Sequence, residues 1–152
     1  MDAVIDLAPG AEEHPLGPRV AERIRANVDH DPARARAFRA LRGAVQLVPF
    51  ETGEALTLRF DHGRLTVHDG SIGVPTVTLG GPLEVLMQLT EVELQALIPG
   101  GGVPSGPGRE ERSSAVLRAV GRSFAQGELK IYGLFSHPRT VVRVLRLLAR
   151  PR

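Results

Sequence analysis

Few residues in this chain have the types and spacings that covalent chemistry requires. Five histidines, His14, His30, His62, His68 and His137, are the candidate metal ligands and general bases. None has the H-x-x-x-H or H-E-x-x-H spacing that sets two imidazoles on one helical face for a metal. They read as surface or turn residues. His68, Asp69 and Ser71 supply the three triad types, but close neighbours in sequence rarely adopt triad geometry, and no nucleophile elbow presents the serine. Gly101 to Gly106 has the first spacing of a phosphate-binding loop, with Pro107 where its lysine is needed. There is no cysteine, which removes disulfides, thiolate nucleophiles and Cys-ligated metals. The chain reads as a non-enzyme, with no catalytic residue, no metal and no cofactor.

Two other constellations remain. Arg139, Arg143, Arg146 and Arg150 recur at i, i+4, i+7 and i+11 and form a stripe along one helix. Such a basic amphipathic helix can dock on anionic lipid headgroups, gaining up to about 1 kcal/mol per arginine, or it can simply present a solvated face. The second constellation is aliphatic: Leu58, Phe60, Val67, Leu79, Leu83, Leu86, Met87, Phe124, Ile131, Phe135, Val141 and Leu145. These are the inner-face candidates for an apolar tunnel, and equally for a void-free core. With few aromatics and a methionine among them, the set favours a deformable pocket.

Charge is unevenly placed. The net value is +2, yet residues 109–152 hold nine Arg and one Lys against three Glu, while residues 51–97 hold two Arg against seven acids. A pI near 9.9 would suit nucleic acid, but one Tyr, five Phe and no Trp give no basic-aromatic strip on which bases could stack. Nucleic-acid binding is not expected. Residues 1–15 carry four acids and no Lys or Arg, the reverse of a secretory leader, and no apolar run is long enough to span a bilayer. A soluble, cytoplasmic protein is expected, with peripheral contact to a membrane through the arginine stripe.

The elements that must position these residues read as α+β. Residues 1–15 look like a loose acidic tail, and residues 16–152 like one domain. Leu16, Val20, Ile24 and Val28 mark a helix over about 18–30; Asp31-Pro32 caps a second, with Ala35, Phe38 and Leu41 as its apolar face, ending at Gly43. Residues 44–50 form a plausible strand. Leu56, Leu58 and Phe60 alternate with polar residues, as do Leu65 and Val67 after an Asp61-His62-Gly63 turn, which predicts a hairpin. Residues 76–79 repeat the alternation, and Gly81-Pro82 opens a helix with Leu83, Leu86 and Met87 inward. Thr90 to Glu93 has the capping-box form and starts another. Residues 99–108 are a Gly/Pro loop, and 113–126 an amphipathic helix with Phe124 on its stripe. Gly127 to Gly133 is a strand that turns Leu129 and Ile131 inward and Lys130 and Tyr132 outward, before the arginine-bearing helix over 137–150. One-sided strands fit an antiparallel sheet with a wet face and a covered face.

Three of these segments carry a resemblance. The hairpin LTLRFDHGRLTVHDG, the strand and helix TVTLGGPLEVLMQL, and the GELKIYG strand with the apolar helix after it look like the sterol carrier protein type 2 family, over roughly residues 33–150. The resemblance implies a five-stranded, mostly antiparallel sheet covered on one face by helices, with an apolar tunnel between the layers. It implies a ligand that is sterol-like, fatty-acyl or isoprenoid, and non-enzymatic binding and transfer. A second reading remains open: a protein-interaction or scaffold module with a solid core, such as an accessory protein for membrane quinone or lipid biosynthesis, with a protein partner not identified. The chain departs from the family pattern in its longer Gly/Pro loop and in the extended helix before Gly127.

Overall fold

The computed structural model describes residues 3–90, 129–133 and 135–149. The elements are β1 (Val4–Leu7), a single 3-10 turn (Ala11–Glu13), α1 (Gly17–His30), α2 (Pro32–Ala40), β2 (Arg42–Pro49), β3 (Leu56–Asp61), β4 (Arg64–Asp69), β5 (Val77–Gly81), α3 (Leu83–Gln88), β6 (Lys130–Tyr132) and α4 (Pro138–Leu148). The expected capping box after Thr90, the Gly/Pro loop at 99–108 and the helix over 113–126 lie outside the described residues.

The strands form one sheet in the order β1-β4-β3-β2-β5-β6. Three pairings are antiparallel, and two, β1 with β4 and β2 with β5, are parallel. The expectation of five mostly antiparallel strands is therefore corrected to a six-stranded mixed sheet among the described residues. The added strand is β1, inside the segment read as a loose tail. Its backbone pairs residue for residue with β4, and Ile5, opposite Leu65, goes into the core. Acidic flanks conceal this in the sequence, because a strand needs ladder partners and one buried side chain, not a hydrophobic average.

The second parallel pairing follows from a crossover. The hairpin β3–β4 lies beside β2, and residues 70–76 carry the chain back across the uncovered face to the far side of β2. Polar side chains of the sheet satisfy that crossing: Thr57 Oγ1 donates to the Gly70 carbonyl at 2.7 Å and accepts from Ile72 N at 3.1 Å, and Gln46 Nε2 donates to Ser71 Oγ at 2.8 Å. Thr57 and Gln46 are buried for this reason, although they belong to the polar face.

Register builds the other face. Leu7, Val67, Leu58, Val45 and Val77 form one row across five strands; Leu56, Leu47, Leu79 and Ile131 form the next; Ile5, Leu65 and Phe60 form a third. A period of two puts every member on the same side. Helix α1 packs over β1 and β4, and α4 over α1 and α2. Phe38 of α2 meets Phe60 edge-to-face, with centroids 6.1 Å apart, and so seats α2 on β3. Asp31 caps α2 through Ala33 N at 2.8 Å, as the Asp-Pro pair predicts. That helix stops at Ala40, not at Gly43, which already lies in β2 opposite Phe60 with φ of 103°. A Cβ there would come 2.7 Å from Thr76 Oγ1.

Candidate functional site

The candidate site is the apolar layer where this face of the sheet and the helices share one hydrophobic cluster. Helix α4 supplies the upper wall: Val141, Val142, Val144, Leu145, Leu147 and Leu148 are all buried, while Arg139 and Arg146 are exposed and Arg143 is half-buried. This wall is aliphatic throughout. Branched aliphatic side chains fill space without directional demands, which suits either a close-packed core or a pliant ligand wall.

The predicted wall residues divide by location. Leu58, Phe60, Val67, Leu79, Leu86, Val141 and Leu145 are each 3% exposed or less and belong to one hydrophobic cluster. Leu83, Met87 and Ile131 are partly buried and pack against it. Phe124 lies outside the described residues. Phe135 is a correction: it stands 97% exposed on the turn between β6 and α4, away from the cluster. Gly133, at φ of 89°, turns the chain out at the end of β6, and a side chain there would run into the Thr76 carbonyl. The alternation of the β6 strand holds as read, with Leu129 buried, Ile131 half-buried, and Lys130 and Tyr132 exposed.

A polar cluster that periodicity does not reveal fixes α4 in place. Asn27, fully buried on α1, donates through Nδ2 to the carbonyls of Leu147 and Ala149 at 2.6 and 2.8 Å. Arg34 of α2 donates to the Ala149 carbonyl as well. These groups satisfy carbonyls that a helix C-terminus leaves without partners. Burial holds the Arg34 guanidinium below the usual arginine range; Asp31, 3.3 Å away, opposes this, and Arg23 and Arg146 add to it. Arg139 lies in the first turn of α4 and Arg146 in its last, both exposed. Arg150 lies outside the described residues.

The residues that could do chemistry are placed separately. Ser71 Oγ accepts from Gln46 on the crossing loop, in a structural bond. No group of three or more potential metal ligands occurs among the described residues. His14, read as a surface or turn residue, is instead buried: Nε2 bonds the Glu54 carbonyl at 2.8 Å, and Nδ1 accepts from Leu16 N at 3.1 Å. It ties the chain ahead of α1 to the β2–β3 turn. An open groove of about 740 Å³ beside it is walled by charged groups, among them Glu12, Glu13, Arg19 and Glu22, and does not match the expected apolar tunnel. The segment 101–106, with its phosphate-loop spacing, lies outside the described residues. No helix among the described residues is long and apolar enough to cross a membrane.

Neither a protein-family profile nor a curated protein sequence matches the chain. Among solved structures it is similar to a protein described as UbiJ-SCP2, a ubiquinone synthesis protein, at a TM-score of 0.52 and 16% identity, covering 89% of this chain and 95% of that one. It also matches the solution structure of the conserved hypothetical protein TT1886 from Thermus thermophilus, at a TM-score of 0.38 and 14% identity over 91% of this chain and 93% of that one. The first likeness extends over almost the whole chain. The fold is sterol carrier protein type 2-like, an α+β architecture with a six-stranded mixed sheet among the described residues.

Proposed function

We propose that this chain is a non-enzymatic lipid-binding module that takes a sterol-like, fatty-acyl or isoprenoid molecule between the apolar face of its sheet and the helices above it. The observation that carries the reading is the continuous aliphatic face. Rows from Val67 to Val77 and from Leu56 to Leu79 share one hydrophobic cluster with the buried aliphatic residues of α4, and the likeness of the fold to a sterol carrier-type domain supports the reading. The physics of such a task needs no catalytic group. Exposing about ten methylenes to water costs roughly 8 kcal/mol, and an apolar wall of similar polarity to a bilayer removes most of that barrier. The carrier therefore has no need to bind tightly. Its cationic C-terminal segment is the proposed contact with the anionic membrane that supplies the lipid.

The test is displacement of a fluorescent fatty acid from lipid-stripped protein by sterol, acyl and isoprenoid competitors. Saturable uptake with competition supports the reading; absence of uptake favours a scaffold. That second reading has its own observation. Leu58, Val67, Leu79 and Leu145 are each 2% exposed or less, as in a filled core, so a ligand reaching them must displace neighbours. An accessory role in quinone or lipid biosynthesis, through a protein partner, would use the same fold without a ligand.

A further inference from the structure

The turn between β6 and α4 is the most apolar exposed point on a strongly basic stretch. Phe135 is 97% exposed and Tyr132, three residues earlier, 59% exposed. Lys130 shares the uncovered sheet face with Tyr132, because both alternate with the inward Ile131. Its Nζ lies 5.8 Å from the centroid of Phe50, itself 48% exposed. From Leu129 to Ala149 the sequence has one Lys and three Arg and no Asp or Glu. Helix α4 starts here without a side-chain cap and without an acid in its first turn, so no group of that turn offsets the positive end of its dipole.

These features share one direction. A phenylalanine left in water forgoes the stabilisation of burial. Exposed aromatic rings flanked by cations are the composition of a bilayer interface, where the ring enters the headgroup zone and the cations meet phosphates. Further along the stripe Arg143 is half-buried, so the arginines do not form one continuous exposed row.

We propose that this turn is a membrane-docking tip: Phe135 and Tyr132 enter an anionic lipid surface while Lys130, Arg139 and the N-terminus of α4 hold headgroup phosphates. Docking is end-on through the turn and not broadside along the whole arginine stripe. The assignment rests on the reading of the chain as a lipid-binding module that visits membranes, and it names the surface used. It also brings the beginning of α4, the upper wall of the candidate site, to the bilayer.

The test uses vesicles of phosphatidylcholine with phosphatidylglycerol, and of phosphatidylcholine alone, with ligand uptake in solution measured separately. Because the chain has no tryptophan, Phe135→Trp places a single indole reporter at the tip. Its emission is expected to shift to the blue on the anionic vesicles and to stay unshifted on the neutral ones. Phe135→Ser is expected to weaken co-sedimentation at least about tenfold, from loss of a buried aromatic. Lys130→Glu with Arg139→Glu should do the same in a salt-sensitive way. Val74→Ser, at another exposed apolar residue (91%), and Arg64→Glu, at the far side of the sheet, should leave binding unchanged. Equal binding by Phe135→Ser and wild type, an unshifted indole, binding to neutral vesicles just as strong, or no vesicle binding at all each overturns the tip. Uptake of fluorescent fatty acid that persists in Phe135→Ser shows that lipid binding stands apart from docking.

Discussion

The Nδ2 of Asn27 on α1 donates 2.6 Å to the carbonyl of Leu147 at the end of α4, across 120 positions of sequence. With its bond to Ala149, this one amide joins the start of the helical layer to its last helix. Asn27 Oδ1 is buried without a hydrogen-bond partner among the described residues, so the side chain is held by its donor end alone.

Replacing that donor takes this bond from the Leu147 carbonyl, while the Ala149 carbonyl keeps its bond from Arg34. Asn27→Leu is expected to lower stability by about 2 kcal/mol, within the range for orphaned buried polar groups, read as a shift of the urea midpoint at unchanged slope. Asn27→Asp should cost more, since a carboxylate has no proton to donate and faces carbonyl oxygens. If Asp proves milder than Leu, the donor role is wrong.

The two glycines at the ends of the β4–β5 crossing and of β6 separate backbone strain from collision. Gly70 and Gly133 have φ of 90° and 89°, and only Gly133 lies against another strand, at the Thr76 carbonyl. Gly70→Ala should cost about 1 kcal/mol for the left-handed backbone alone. Gly133→Ala should cost clearly more and loosen the pairing of β5 with β6, checked by thermal melts and amide exchange at Thr78.

Core and tip should respond in opposite ways. Leu145→Ala removes a side chain only 2% exposed and is expected to cost about 2–5 kcal/mol. Phe135→Ser should leave stability within about 0.5 kcal/mol of wild type in the same denaturation experiment. A large loss on changing Phe135 would mean that it packs where the structure leaves it exposed.

At the α1–α2 junction, Asp31 caps α2 and offsets the buried Arg34. Asp31→Ala should cost about 1 kcal/mol or more in thermal denaturation, from the lost cap. Asp31→Asn keeps the cap and loses only the charge, so it should fall between Ala and wild type.

What the sequence made legible is local. The alternation of Leu56, Leu58 and Phe60 against Leu65 and Val67, with the Asp-His-Gly turn between them, contains the hairpin almost to the residue. Asp31-Pro32 likewise announces α2. The features missed depend on partners far along the chain. β1 is a strand because β4 offers it an edge, and nothing within Val4–Leu7 says so. Asn27 and His14 are buried because distant backbone carbonyls need them, and Gln46 because the Ser71 hydroxyl does, although their types predict exposure. Phe135 errs the other way. Its apolar type predicts burial, and the left-handed Gly133 directs the chain outward. Of the candidate site, the aliphatic residues of the sheet could be named from period two, but their rows required the strand order.

The central claim is that an apolar molecule occupies the space between the sheet and α4. Native mass spectrometry of protein purified without detergent, then offered a mixture of sterols, fatty acids and isoprenoids, tests it most directly. The account predicts a single added mass, released on denaturation and identifiable as one lipid class. A chain that keeps only its bare polypeptide mass, before and after exposure to that mixture, would contradict it.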